Sequence, residues 1–515
     1  MNKFFSEHRL CITPISPIHI GTGEVYEPTN VVVDPKRGFL YGFNPASVFL
    51  LDDERQALKS ATSNGLIRDI NLFYDKNIDV FRPWATSIVP MTEAAVGTYR
   101  KMIAPKGNQK NTQIEVFRTI SSRMTTKSAP MIPGSTVKGM IRTALMNRLN
   151  AGHRIRSDNL DLDLLGGNFD RSPMRFVKVS DLQPVNEDVS TKVYYCSRVF
   201  KSNGALDGVK SCFESVQAGQ YRAFCGSVVI AAGQNRTVSH VYQNPEEIIR
   251  DLNAYSESVW QAEQGLYGRM NAAWATSVSR LLKALKPQFD SGKIALIRLG
   301  KNVGAEMKTL HGEGVAKIQI RHKDKTRDVL DHSTTLWMTE EKEAIDNALP
   351  FGWAICEIDP EGENQALHHW CDQSGYQSEA QRIATEWATV LEAREEKLAL
   401  KQQEKAKEAQ LEAERKAQAL AEEQKQQALA AMSPQERATV ELYEKLEAFP
   451  GAVNPGTELF IQIKNFLVEA LTWKSAEDKK ALAEKMQPLM KKKGMYQGKA
   501  EKEFKKNMRE LRGEA

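Results

Sequence analysis

Residues 378–432 contain neither glycine nor proline. Those two residues are what interrupt helices, and the run is built mostly of Ala, Glu, Lys, Gln and Leu, with acidic and basic residues three and four apart. Such a stretch is expected to form one long helix, on the order of 80 Å if continuous at 1.5 Å per residue. Apolar residues larger than Ala are sparse after Leu400 and no heptad survives. A solvated helix, or an arm packed weakly on a partner, is therefore expected instead of a self-sufficient coiled coil. The sequence after it, 433–515, reads as a small all-α module. Ser433-Pro434 fits an N-cap and first helical residue, and Phe460, Ile461, Ile463, Phe466, Leu467, Ala470 and Leu471 recur on one helical face.

The sequence before the helix mixes strand and helix patterns. Leu10 to Ile15 alternates like a strand, and Val31-Val32-Val33 and Phe39-Leu40-Tyr41 flank the turn Asp34-Pro35-Lys36-Arg37-Gly38, which predicts a hairpin. At Pro133-Gly134-Ser135 a helix begins, with Ser135 as the expected N-cap and Val137, Met140, Ile141, Ala144, Leu145 and Leu149 on its core face. Strand-like runs at 175–180, 221–230, 294–299 and 353–358 interleave with a helical run at 245–285. The fold class expected is α+β in two halves, 1–156 and 157–377, ahead of the long helix 378–432 and the module 433–515.

Charge is unevenly spread. The formal net charge is +5, yet residues 100–156 hold 12 Lys and Arg against the single acid Glu115, and residues 474–515 hold 13 basic against 7 acidic residues. Two basic segments on an otherwise acidic body point to a polyanion as partner. No run of about 18 apolar residues is present and the N-terminus lacks a basic-then-apolar signal pattern, so a soluble, cytoplasmic protein without a membrane partner is expected. The six cysteines, at 11, 196, 212, 225, 356 and 371, have no CxxC spacing. Buried, inert thiols are expected in place of a zinc site or disulfide framework. His311, His322 and His332 match no ligand pattern, so no metal or cofactor is expected.

Three glycine-bearing stretches carry the functional signal. They are Pro17-Ile18-His19-Ile20-Gly21-Thr22-Gly23, then Ile132-Pro133-Gly134-Ser135-Thr136-Val137-Lys138-Gly139-Met140-Ile141-Arg142-Thr143-Ala144-Leu145, then Arg298-Leu299-Gly300-Lys301-Asn302-Val303-Gly304. Glycine lets backbone N–H groups approach a phosphate with no Cβ in the way. A helix starting at Gly134-Ser135 presents free N–H groups and the positive end of its dipole, and Lys138 and Arg142, four apart, add full charges beside it. Such a site grips a nucleic-acid backbone without reading sequence. A P-loop is excluded, because Lys138 precedes its glycine and no Gly-Lys-Ser/Thr ending exists.

In this order, the stretches resemble the RAMP superfamily of CRISPR proteins. Residues 17–23 are similar to its opening Pro-x-His-x-Gly-x-Gly, and residues 132–145 to its Ile-Pro-Gly-Ser-Ser-Ile-Lys-Gly-x-x-Arg-Thr-Ala. Residues 175–181 resemble its short strand ending in Ser-Asp. Residues 298–304 stand where it carries a late glycine-rich loop, and Leu349-Pro350-Phe351-Gly352-Trp353 looks like its terminal strand. The resemblance covers residues 1–360, and within the superfamily it is nearest to the subunit that caps the guide-RNA 3′ end in type III-A (Csm) effector complexes. It implies paired ferredoxin-like (RRM-like) domains in a non-catalytic subunit that binds the 3′ part of CRISPR guide RNA. Its implied partners are the backbone RAMP subunits of the complex and cellular nucleases. The expected RNA-binding set is His19, Gly21, Gly23, Arg118, Arg123, Gly134, Ser135, Lys138, Arg142, Arg298, Gly300, Lys301 and Gly304.

Three other readings compete. A guide-processing endoribonuclease of the same superfamily would use His19 as general acid or base, and would need a second proton carrier or cation beside it. A target-cutting backbone subunit would need an acidic residue that the 100–130 stretch, with only Glu115, does not supply. A scaffold working through 378–432 alone leaves the glycine motifs and the basic segment unexplained.

Overall fold

The computed structural model describes residues 5–514 except 28, 64, 104–114, 124–127, 155–158, 169, 232–237, 322–325, 343–344 and 346. Much of the Lys-, Asn- and Gln-rich stretch before Pro130, together with Arg156 and His322, lies outside the described residues. The chain divides into two compact units, Met1–Ala399 and Leu400–Ala515.

The first unit is α+β. Its main sheet runs in the order Gln183–Pro184, Phe224–Ile230, Ser6–Pro14, Trp353–Ile358, Ile294–Arg298, and Val177–Val179 also pairs with Phe224–Ile230. All these pairings are antiparallel; Leu10, for example, faces Gly226 on one side and Ile358 on the other. Strand Trp353–Ile358 is buried throughout, as its largely apolar run requires of a central strand, and its one acid, Glu357, is paired with Arg222 at 2.8 Å. Helices Gly134–Asn150 and Pro245–Met270 pack on each other, and their apolar faces join the sheet in one core containing Ile12, Val137, Ile141, Leu145, Phe224, Tyr255 and Ile355.

The expected division at 156/157 does not separate the sheets, because the first strand lies between two strands that follow that point. A second sheet, ordered Thr335–Glu340, Thr191–Phe200, Leu206–Val216, Val116–Thr119, Gly21–Val25, is made from segments inserted between strands of the first. The predicted hairpin forms from Val31–Asp34 and Phe39–Phe43, and Ala85–Pro90 adds a third strand.

The long helix spans Tyr376–Ala431. Its first turns belong to the first unit, unlike the expected free-standing element from 378. Ile383, Val390 and half-buried Trp387 share an apolar cluster with Val32, Phe39, Tyr41 and Phe81. Glu386, itself buried, accepts hydrogen bonds from Tyr41 Oη at 2.9 Å and Arg37 Nη1 at 2.8 Å, and Arg394 Nε donates to the Pro83 carbonyl at 2.7 Å. From 405 onward the described side chains of the helix are exposed.

The second unit contains helices Pro434–Ala448, Glu458–Ala470, Ala476–Lys492 and Gly498–Arg512 around Leu446, Ile463, Leu467, Met486, Met490 and Phe504. Ser433 caps the first of them in a capping box with Glu436. Ile461, expected on the apolar face, is 48% exposed.

The cysteine expectation needs a correction. Cys11 and Cys225 are directly opposed on neighbouring strands and form a disulfide, a pairing that linear spacing could not reveal. The other four are free and buried; burial pushes the thiols of Cys212, Cys356 and Cys371 up to about 12 and raises that of Cys196 well above its ordinary value. No helix among the described residues is long and apolar enough to cross a membrane.

Candidate nucleic-acid interface

The first and third glycine stretches meet. The Lys301 N–H donates to the His19 carbonyl at 2.8 Å, and the Gly352 N–H donates to that of Pro17 at 2.8 Å. Gly300 has φ +95°, and a Cβ there would stand 2.4 Å from the His19 oxygen. Only glycine fits that approach. A Cβ on Gly21 would likewise stand 2.9 Å from His19 Nε2. At both positions the close neighbour that demands glycine is the protein itself. Gly23 differs: its φ is +90°, it lies on the exposed strand Gly21–Val25, and nothing lies within 4 Å of where its Cβ would be.

His19 is completely buried, with its ring 5.0 Å from that of Phe213. Its Nδ1 carries the proton, because it is 2.7 Å from the Glu214 carbonyl, which can only accept; Nε2 has no hydrogen-bond partner among the described residues. Burial, opposed by the Glu214 carbonyl, which favours the charged form, and aided by the Lys301 cation, brings the imidazole down to about 4. It is a neutral packing residue beneath the glycine loop, with no open face toward a scissile phosphate.

Glu214, which the sequence did not single out, locks this region. Its buried carboxylate accepts from Thr191 Oγ1 at 2.8 Å, Tyr26 Oη at 3.2 Å and the Thr119 N–H at 3.1 Å. From there a hydrogen-bonded path leads to the second motif: Ile120 N–H to Ile20 carbonyl, 2.8 Å, and Met131 N–H to Ile120 carbonyl, 3.2 Å. Ile132 then exchanges hydrogen bonds with Leu182.

The second motif opens the helix Gly134–Asn150. The helix starts two residues earlier than expected, with Pro133 at the N-cap and Ser135 inside the first turn, exposed. The Gly134 N–H is not free, since it donates to Asp181 Oδ1 at 2.8 Å, and a Cβ on Gly134 would meet the Val179 carbonyl at 2.4 Å. The acidic end of the 175–181 stretch thus caps the helix that the motif begins. Lys138 is half-buried one turn on, and burial together with the neighbouring Lys178 lowers its ammonium below the usual lysine range. Two close cations gain from an anion placed between them. Arg142 follows four residues later, half-buried.

The remaining expected residues fall elsewhere. Arg298 is entirely buried, with Nη1 2.8 Å from Glu263, Nε donating to the Phe351 carbonyl and the guanidinium 4.9 Å above Trp353. It is a core ion pair and not a surface contact; the strand Ile294–Arg298 carries it inward. Gly304, φ +83°, gives room to Glu306, whose Oε2 would lie 2.9 Å from a Cβ. Lys301 is exposed, with its ammonium 4.7 Å from the Phe117 ring and 5.7 Å from that of Phe213. Arg118 follows Phe117 on the strand Val116–Thr119 and therefore faces the other side, 5.0 Å above Tyr26. Arg123 lies on the strand Ser121–Arg123. Phe117 and Lys178 belong to this surface and were missed, while Phe213 is buried behind Phe117. Phe117-Arg118 did carry a signal, an aromatic beside a cation inside the basic segment. Among the described residues no group of three His, Cys, Asp or Glu side chains is placed to hold a metal ion.

A family model described as RAMP superfamily matches residues 11–251. Among solved structures, the chain is similar to a chain of a Csm-crRNA-target RNA ternary complex in a type III-A CRISPR-Cas system. That match has 16% identity and TM-score 0.34, covering 68% of this chain and 100% of that one. It is also similar to T. onnurineus Csm5, at 15% identity and TM-score 0.31, covering 67% and 99%. No curated protein matches.

Proposed function

We propose that this chain, which belongs to the RAMP superfamily across residues 11–251, is a non-catalytic RNA-binding subunit of a type III-A CRISPR complex that binds and caps the 3′ part of the guide RNA. The observation that carries the reading is the hydrogen-bonded path joining the three glycine stretches, with Lys301 exposed at one end and Lys138 beside Lys178 at the other. Gly21 to Gly23 form an open edge between them, where backbone N–H groups can meet phosphates. Half-buried Phe117 beneath Lys301 adds an aromatic edge beside a cation, of the kind single-stranded RNA uses. In this reading the main sheet, in which a strand, a helical segment, three strands, a helical segment and two further strands follow one another, is the ferredoxin-like platform.

The non-catalytic part rests on His19, whose buried neutral ring offers neither a reachable lone pair nor a neighbouring acid. His19→Ala should leave repeat-RNA processing unchanged. For the grip, Lys138→Glu with Lys301→Glu should weaken guide-RNA binding and reduce the salt slope by about 0.7 for each phosphate that is no longer neutralised. Affinity and slope both unchanged would place the RNA elsewhere. Docking of backbone RAMP subunits and of cellular nucleases belongs to the same reading, and co-purification of the operon products with bound RNA reads it out.

A further inference from the structure

The basic C-terminal segment is not uniformly basic once folded. On the helix Gly498–Arg512, Lys505 pairs with Glu501 at 2.6 Å and Lys506 with Glu510 at 3.8 Å, while Glu503 pairs with Lys464 at 2.8 Å. Those cations are answered by carboxylates of the same unit. The helix Pro434–Ala448 carries Glu436, Glu441, Glu444 and Glu447 against Arg437 and Lys445.

The helix Ala476–Lys492 is different. At 100° per residue, Leu482, Ala483, Met486, Leu489 and Met490 fall on one side, and all five are buried in the core of the unit. The opposite face carries Lys480, Lys485, Lys491 and Lys492, all exposed, with Glu477 and Glu484 the acids among them. None of the four lysines makes an ion pair among the described residues. Lys485 stands 5.3 Å over the Tyr443 ring and Lys491 5.8 Å over that of Tyr496, so two are steadied by aromatic faces without being neutralised. Exposed Lys474 extends the row past the N-terminal end. The helix dipole accounts for Lys491 and Lys492 in the last turn and for Glu477 in the first. It does not reach Lys480 and Lys485 in the middle of the helix.

We propose that this face of Ala476–Lys492 is a second, sequence-independent nucleic-acid grip, which holds the phosphodiester backbone of single-stranded RNA through Lys480, Lys485, Lys491 and Lys492. The four lysines lie on the side of the helix away from the core, over about three turns. Lys505 and Lys506, though as close in sequence, are withdrawn by their carboxylate partners.

The test uses the full chain and a fluorescein-labelled oligouridine, with anisotropy read across a salt titration. The background carries Lys138→Glu and Lys301→Glu, so the grip proposed for the first unit is already weakened. Replacing Lys480, Lys485, Lys491 and Lys492 by Gln should cut the salt slope by up to about 3 and lower affinity at least about tenfold. The control, Lys505→Gln with Lys506→Gln, should change the slope far less per lysine removed. An unchanged slope in the fourfold variant, with its thermal transition intact, overturns the proposal, as does an equal loss per lysine in the control. The comparison stays readable if the first unit does not bind RNA at all, since the helix face is then the source of what binding remains.

Discussion

At the residue scale, His19 shows how a residue type can suggest one chemistry while its surroundings impose another. A histidine following the first strand suggests acid–base work, but burial and the nearby Lys301 cation keep it neutral, and the Glu214 carbonyl and the Gly21 backbone hold it as a packing group. This has a consequence for stability. In the unfolded chain the ring takes up a proton near its ordinary 6.5, while in the fold it resists protonation down to about 4. The unfolded state therefore binds more protons as pH falls between those values, and His19 costs the fold up to about 3 kcal/mol by pH 4. His19→Gln keeps an N–H donor and removes this titration. Urea unfolding at pH 7 and pH 4.5 should show a smaller acid-side loss in the variant than in the native chain; equal losses would mean that His19 is not the titrating group. Arg298 gives the same lesson in reverse. An arginine opening a glycine motif suggests an RNA ligand, and its strand carries it into the core against Glu263.

At the scale of elements, the Gly- and Pro-free run was legible as a helix because nothing in it could break one. Where the helix stops being a free arm was not legible. The turns bearing Ile383, Glu386, Trp387, Val390 and Arg394 cover the sheet that holds Phe39 and Tyr41, and composition changes little along the helix. A chain ending at residue 377 should lose roughly 1.5–3 kcal/mol for each of the buried Ile383 and Val390, lose the packing of Trp387, and leave Tyr41 and Arg37 without Glu386. A chain ending at residue 399 keeps all of these interactions. Only the shorter one should express insolubly or melt lower in a thermal scan; equal behaviour would show that the first turns are dispensable. The signature helix carries a similar surprise, because its first N–H is held by Asp181, a residue 47 positions away.

For the whole molecule, the chain forms two units, each with its own apolar core. Limited proteolysis within the exposed residues 405–430 should release two fragments, and each should retain a cooperative unfolding transition in calorimetry. A single shared transition, abolished by cleavage, would show that neither unit is stable alone. The RAMP-superfamily match lies wholly within the first unit, and the second carries the open lysine face of Ala476–Lys492.

The sequence alone determined the things that depend on near neighbours. The helix run, the hairpin at 31–43, the capping of Ser433, the uneven charge and the ordered glycine stretches are all local patterns, and each helix or strand they predict is present. What only the tertiary structure decided is which distant segments touch. The main sheet closes by pairing Ser6–Pro14 with strands more than 200 and 300 residues later, so the boundary expected at 156 dissolved and Cys11 met Cys225. Alternation of side chains shows that a strand exists but not which strand it will pair with. By the same token a charge counted along the chain shows no carboxylate beside it. Lys464 and Lys491 look alike in sequence, and only the packing of helices brings Glu503 to the first while the second stays exposed.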